Sequence, residues 1–206
     1  MYAIVEDNEI TKFINHPKSM VIGDVRYPAK IFQLWSTSEL NAIGIYEVVF
    51  DNSNKKDENW YINTNQSYAF ADNTVTASYG TATPKAHADT LWTQADSDDG
   101  DLPDDKSVGD VKVEGLKTTL IRTLKSQVAG ELSNTDWYIT RNSEKSTAIP
   151  SAISTHRDAV RTKQASMETA ITNASNTPAL ETLYTYTKQE DGTVTRPLGE
   201  LPVLES

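Results

Sequence analysis

The chain has 206 residues, a formal net charge of −10 and no cysteine, with a mean hydropathy of −0.52. That length suits one medium domain or two small ones, and the missing cysteines exclude both a disulfide framework and a thiolate metal site. The acidic balance leaves no basic face to neutralise phosphates, which argues against a free-standing nucleic-acid binder.

The first residues lack the basic start and long apolar run of a signal peptide, and no apolar run approaches the ~18 residues of a membrane span. A soluble protein made in a cytosol, with no membrane insertion, is the expectation. The first 80 residues alternate as β-structure does. Residues 2–5 and 9–14 flank a polar Glu6-Asp7-Asn8 turn, and residues 20–22 and 25–27 flank Gly23-Asp24, so both pairs read as hairpins. Ser36 and Glu39 have capping-box spacing, which predicts a brief helix that Gly44 stops in a left-handed cap. Residues 45–50, 60–62, 67–71 and 74–79 read as further strands, with Asp72-Asn73 as a hairpin turn.

Residues 81–110 read as a linker. Leu91-Trp92 is an isolated apolar pair, and residues 96–110 carry 7 Asp against Lys106. Such a run is expected to self-repel and stay solvated. From Val113 the period becomes helical, with Leu116, Leu120, Leu124, Val128 and Leu132 recurring every four residues. A second long helix is expected to start near Ser151, with Ile153, His156, Val160, Met167, Ile171 and Ala174 on one side. Thr177-Pro178 opens a short helix, and residues 183–188 and 193–196 about Asp191-Gly192 signal a hairpin. A lone hairpin is marginal in water, so docking on another chain is expected.

The residues offer little for a reaction. The acidic run misses the EF-hand register, because Gly100 and the position-12 Glu cannot both be placed. His16, His87 and His156 are far apart in sequence, with no helical ligand pair around them. No nucleophile elbow and no phosphate-cradling glycine loop occur. We therefore expect no catalytic residues, no cofactor and no metal. Asp136-Trp137-Tyr138 carries the functional weight. Trp137 is expected to fill the wedge between two helices, contributing about 2–3 kcal/mol, while Tyr138 either packs or projects outward as a partner anchor. Arg157 and Arg161 share a helix face. They either form an exposed salt-bridged face, with Asp158 pairing to Arg161, or send one Arg to the Asp136 corner.

Two stretches resemble known families. A helix ending at Leu132, the corner Thr135-Asp136-Trp137, and a following helix with Arg157 and Arg161 resemble the bacteriophage tail assembly chaperone family, with His156 where an aromatic is usual. Gly23-Asp-Val-Arg-Tyr-Pro28, Trp35, Glu39 and Ala42-Ile-Gly-Ile45 resemble the small N-terminal domain of phage tail-fibre-associated proteins. The resemblance implies a non-enzymatic tail protein, in the virion tail and in the host cytoplasm during assembly. Its expected partners are other phage tail proteins or tail fibres, and it is expected as a homo-oligomer or docked on a symmetric assembly. A transient tail assembly chaperone is the alternative. So is a carbohydrate-binding module using Trp60, Tyr61, Tyr68 and Tyr79.

The expected fold class is α+β: a small antiparallel β-domain over 1–80, an acidic linker over 81–110, and a helical module with a terminal hairpin over 111–206. The expected partner-binding residues are Trp92, Tyr138, Arg157, Arg161, Tyr184 and Tyr186.

Overall fold

A computed structural model describes residues 1–204. The chain is α+β and divides into two compact units, Met1–Thr83 and Pro84–Ser206.

The first unit opens with β1 (Tyr2–Glu6) and β2 (Glu9–Ile14), followed by the short pair β3 (Met20–Ile22) and β4 (Val25–Tyr27). Asp7 and Asn8 both have positive φ, as a two-residue hairpin loop requires. Two brief helices follow, α1 (Ile31–Leu34) and α2 (Thr37–Ala42). The predicted capping box forms at α2: the Glu39 backbone donates to Ser36 Oγ, and the Ser36 backbone donates to Glu39 Oε2 at 2.7 Å. Gly44 ends that segment at φ +79°, where a Cβ would lie 2.7 Å from the Val5 carbonyl oxygen. Then come β5 (Ile45–Asp51), β6 (Tyr61–Ile62), β7 (Gln66–Ala71), β8 (Thr74–Tyr79) and β9 (Thr83–Pro84).

Five of these strands form one sheet in the order β2-β1-β5-β8-β7. Its centre is buried on both faces. Ala3 and Val5 of β1 pack with Val48, Val75 and Ala77. On the opposite face Ile31, Leu40 and Ile45 form a second cluster, covered by Tyr2, Met20, Ile22, Tyr27 and Trp35. Small side chains at Ala3 and Ala77 and a bulge between Ile4 and Val5 favour curling. The sheet curls until the edge strands meet, with the Phe13 and Tyr68 rings 4.5 Å apart. One expectation is corrected: the sheet is mixed, because β5 and β8 run parallel, Val48 opposite Val75. The segment from residue 52 to β7 is long enough for the crossover that a parallel pair needs, and period-2 patterning carries no strand direction.

The second unit begins with β10 (Thr90–Leu91), α3 (Gln94–Asp98) and β11 (Val111–Val113). Residues 81–110, expected as a solvated linker, are exposed along most of their length but carry short elements of their own. Leu91 pairs with Val111, and the Trp92 N–H donates to the Asp110 carbonyl at 2.9 Å. Several of the carboxylates find donors. Asp96 accepts from the Thr93 backbone and hydroxyl and pairs with Lys112, which sits 4.3 Å from the centre of the Trp92 ring. Asp89 accepts from the Gly115 backbone at 2.7 Å and the Thr118 hydroxyl at 2.8 Å. The first of these satisfies the Gly115 amide and the second ties Asp89 to the first turn of α4 (Leu116–Ser133), whose cap residue Gly115 has no side chain of its own.

After α4 come α5 (Asp136–Lys145), α6 (Ser151–Asn173), α7 (Thr177–Tyr184), β12 (Thr187–Lys188) and β13 (Val194–Thr195). Helices α4 and α6 run antiparallel: Lys117 Nζ donates to the Thr172 carbonyl at one end, and Glu131 meets His156 at the other. The predicted stripe of α6 is buried at Ile153, His156, Val160, Met167 and Ile171, and Ala174 just beyond the helix is buried too. The terminal hairpin is shorter than expected, because residues 183–184 belong to α7. Its two strands are exposed, with Val194 at 59%, while the segment after them is anchored on α7: the Leu198 backbone donates to the Leu183 carbonyl, and Leu198 is buried. No helix among the described residues is long and apolar enough to cross a membrane.

Candidate partner-binding surface

The corner between α4 and α5 is built around a buried arginine. Arg157 is 7% exposed, and its Nη1 donates to the Leu132 carbonyl at 2.8 Å and to Thr135 Oγ1 at 2.7 Å. The same nitrogen lies 2.9 Å from Asp136 Oδ1. Thr135 is itself buried and donates to the Leu132 carbonyl. A guanidinium here neutralises both a carboxylate and the carbonyl end of a helix. Beside it, His156 Nε2 lies 3.0 Å from Glu131 Oε1. Of the two readings of the basic pair, Arg157 follows the internal one: it is buried and braces the Asp136 corner.

Trp137 is not in the wedge. It is 51% exposed, and α5 buries none of its residues. The physical reason is occupancy: Arg157 and Thr135 already fill the corner, so the indole turns outward. Its ring lies 3.8 Å from that of Tyr138, and the Arg141 guanidinium lies 4.9 Å from Trp137 and 5.8 Å from Tyr138. Ile139 is also exposed. Aromatic rings held by a cation, on a helix with no buried face, form a preset contact ridge.

The remaining expected residues are dispersed. Arg161 is exposed and pairs with Asp158 at 3.5 Å, an interaction worth little in water. Trp92 is half-buried beneath Lys112. Tyr184 is half-buried, with Arg196 5.4 Å from its ring centre, and that burial raises its phenol pKa. Tyr186 is exposed and donates to Glu200 Oε1 at 2.7 Å, which raises its pKa in turn. Arg196 pairs with Glu200 at 2.8 Å, so this cluster is largely self-satisfied. Of the suggested sugar platform, Trp60 is 8% exposed and so withdrawn from the surface, Tyr61 and Tyr79 are half-buried, and Tyr68 is exposed.

Two residues were missed. Arg141 follows Trp137 by four and Tyr138 by three, a spacing that could have signalled the stack. Asp89 carried no local signal, since its partner is the amide of Gly115, distant in sequence. No group of three His, Cys, Asp or Glu side chains among the described residues could hold a metal ion. Comparisons with protein-family models, with curated proteins and with solved structures find no match for this chain.

Proposed function

We propose that the chain is a non-enzymatic bacteriophage tail protein, a virion structural or adaptor component of the tail or of tail-fibre attachment. It grips its neighbour with the ridge Trp137–Tyr138–Arg141. The observation carrying this reading is the division of labour at the Thr135-Asp136-Trp137 corner. Arg157 braces Thr135 and Asp136 from inside, while Trp137 stands half-exposed on a helix with no fully buried residue. Those residues are also the ones that carry the resemblance to tail assembly chaperones, so what is shared would be a contact surface on a rigid frame. A half-exposed Trp–Tyr pair has the composition of interaction hot spots.

Mass spectrometry of purified phage particles tests the reading. The wild-type chain is expected in particles, and Trp137→Ala is expected to deplete it there without changing its melting temperature. A chain found in infected lysate and never in particles would identify a transient assembly chaperone instead.

A further inference from the structure

The first unit uses the same dipeptide, Asp-Asn, for two hairpin turns at one end of its sheet. Strand β1 runs toward that end, while β5 and β8 start from it, so the Asp7-Asn8 and Asp72-Asn73 turns flank the start of β5. All four residues have positive φ, at 51°, 66°, 48° and 59°. Glycine adopts that conformation most readily and commonly takes the second position of such turns. Here both turns keep a hydrogen-bonding side chain at every position instead.

Between the turns lies an open cleft of about 760 Å³, within the ~300–1,000 Å³ typical of ligand sites. Tyr46 and Phe70 form its floor, their rings 4.7 Å apart and inclined at 59°. Tyr46 Oη donates to Asn73 Oδ1 at 3.1 Å, which fixes one rim amide over the floor. The side chains of Asp7, Asn8 and Asp72 make no hydrogen bond or ion pair among the described residues, so a ligand would meet three unspent polar groups.

We propose that this cleft binds a neutral saccharide. A hexose ring lays an apolar C–H face on Tyr46 and Phe70. The carboxylates of Asp7 and Asp72 accept hydrogen bonds from its hydroxyls, and the carboxamides of Asn8 and Asn73 both donate and accept. Other ligand classes fit less well. Two carboxylates repel an anion, and a purely apolar ligand would strip water from the rim without replacing its hydrogen bonds. A bare cation would have no use for an aromatic floor. The site lies wholly within the first unit and does not depend on docking through Trp137.

Saturation-transfer NMR on the full chain tests this, with the methyl glycosides of glucose, galactose, mannose and N-acetylglucosamine in EDTA-containing buffer. At least one should receive saturation at its ring protons. The double variant Asn8→Gly/Asn73→Gly should weaken its binding about tenfold, the scale of two lost hydrogen bonds. Its melting temperature should hold or rise, because glycine suits both turns. That separates loss of the site from loss of the fold. Absence of transfer to all four glycosides, unchanged binding in the double variant, or binding that appears only when calcium replaces EDTA would each overturn the proposal.

Discussion

The two units solve the same problem with different materials. In the first, a central strand is buried on both sides by aliphatic and aromatic side chains, and Trp60 lies inside. In the second, the apolar contact is a narrow stripe between α4 and α6, and Trp137 lies outside. Every buried polar or charged side chain among the described residues belongs to the second unit: Thr135, His156, Arg157 and Thr177. Each has a partner, Thr177 through its hydroxyl to the Lys85 carbonyl. Apolar burial is non-directional and tolerates repacking, whereas a buried polar network specifies one arrangement and fails when a member is lost. The second unit should therefore be the one that single polar substitutions break.

Arg157→Ala is the strongest such test. It leaves the Thr135 hydroxyl without its donor and Asp136 without its cation, removes one of the donors to the Leu132 carbonyl, and opens a void at the corner. Together these should cost about 3–4 kcal/mol. Hydrogen exchange followed peptide by peptide should show α4 to α6 losing protection while β1, β5 and β8 keep theirs. Equal loss in both units would end the comparison.

The reciprocal test is Gly44→Ala. The added Cβ meets the Val5 carbonyl oxygen at 2.7 Å, at a φ of +79° that alanine rarely adopts. A cost of about 2–3 kcal/mol is expected, confined to the first unit. Exchange should accelerate in β1 and β5 and leave the second unit unchanged.

The same contrast explains what could be read from the amino-acid order. Hairpins about Asp7-Asn8 and Asp72-Asn73, the Ser36–Glu39 box and the α6 stripe all depend on neighbours within a few residues, and all are present. The parallel pairing of β5 with β8 and the folding of residues 84–113 depend on partners far along the chain. The acidic run misled because its net charge was legible and its donors were not: Lys112 and the Thr93 amide meet Asp96, Gln94 meets Asp98 and the Ser107 amide meets Asp110, which offsets part of the repulsion that composition alone suggests. At the candidate surface, the motif residues were legible but not their sidedness. Whether Arg157 or Trp137 occupies the corner is a packing outcome, and helical spacing places both near it.

Trp137→Ala sharpens the comparison at smaller amplitude. A buried tryptophan truncated to alanine typically costs about 3–5 kcal/mol. For a residue half in water on a helix with no fully buried residue, the cost should be below about 1 kcal/mol. Urea unfolding of the full chain measures it. A loss on the scale of a core residue would move Trp137 back into the wedge and remove the docking ridge.

The smallest effect expected is on acid sensitivity. Hydrogen bonds and the Lys112 ammonium hold the Asp96 carboxyl well below the ordinary aspartate range, and the Gly115 amide with the Thr118 hydroxyl lowers Asp89. A carboxyl whose pKa is lower in the folded state binds its proton more readily when unfolded, so it contributes stability above the unfolded value of about 4. That contribution fades as the pH falls from there through the folded-state pKa. The first unit has lowered carboxyls too, at Glu39 and Asp51, but each is held by a neighbour two or three residues away. Protonating them loosens a turn or a cap, whereas protonating Asp96 and Asp89 releases β11 and the start of α4. Below about pH 4, exchange should therefore accelerate first over residues 86–118. Asp96→Asn should flatten that pH dependence by removing the titrating group, while making the segment somewhat more labile at neutral pH. If β1 and β5 open first on acidification, the carboxylates of the second unit are not what ties its opening strands to its helices.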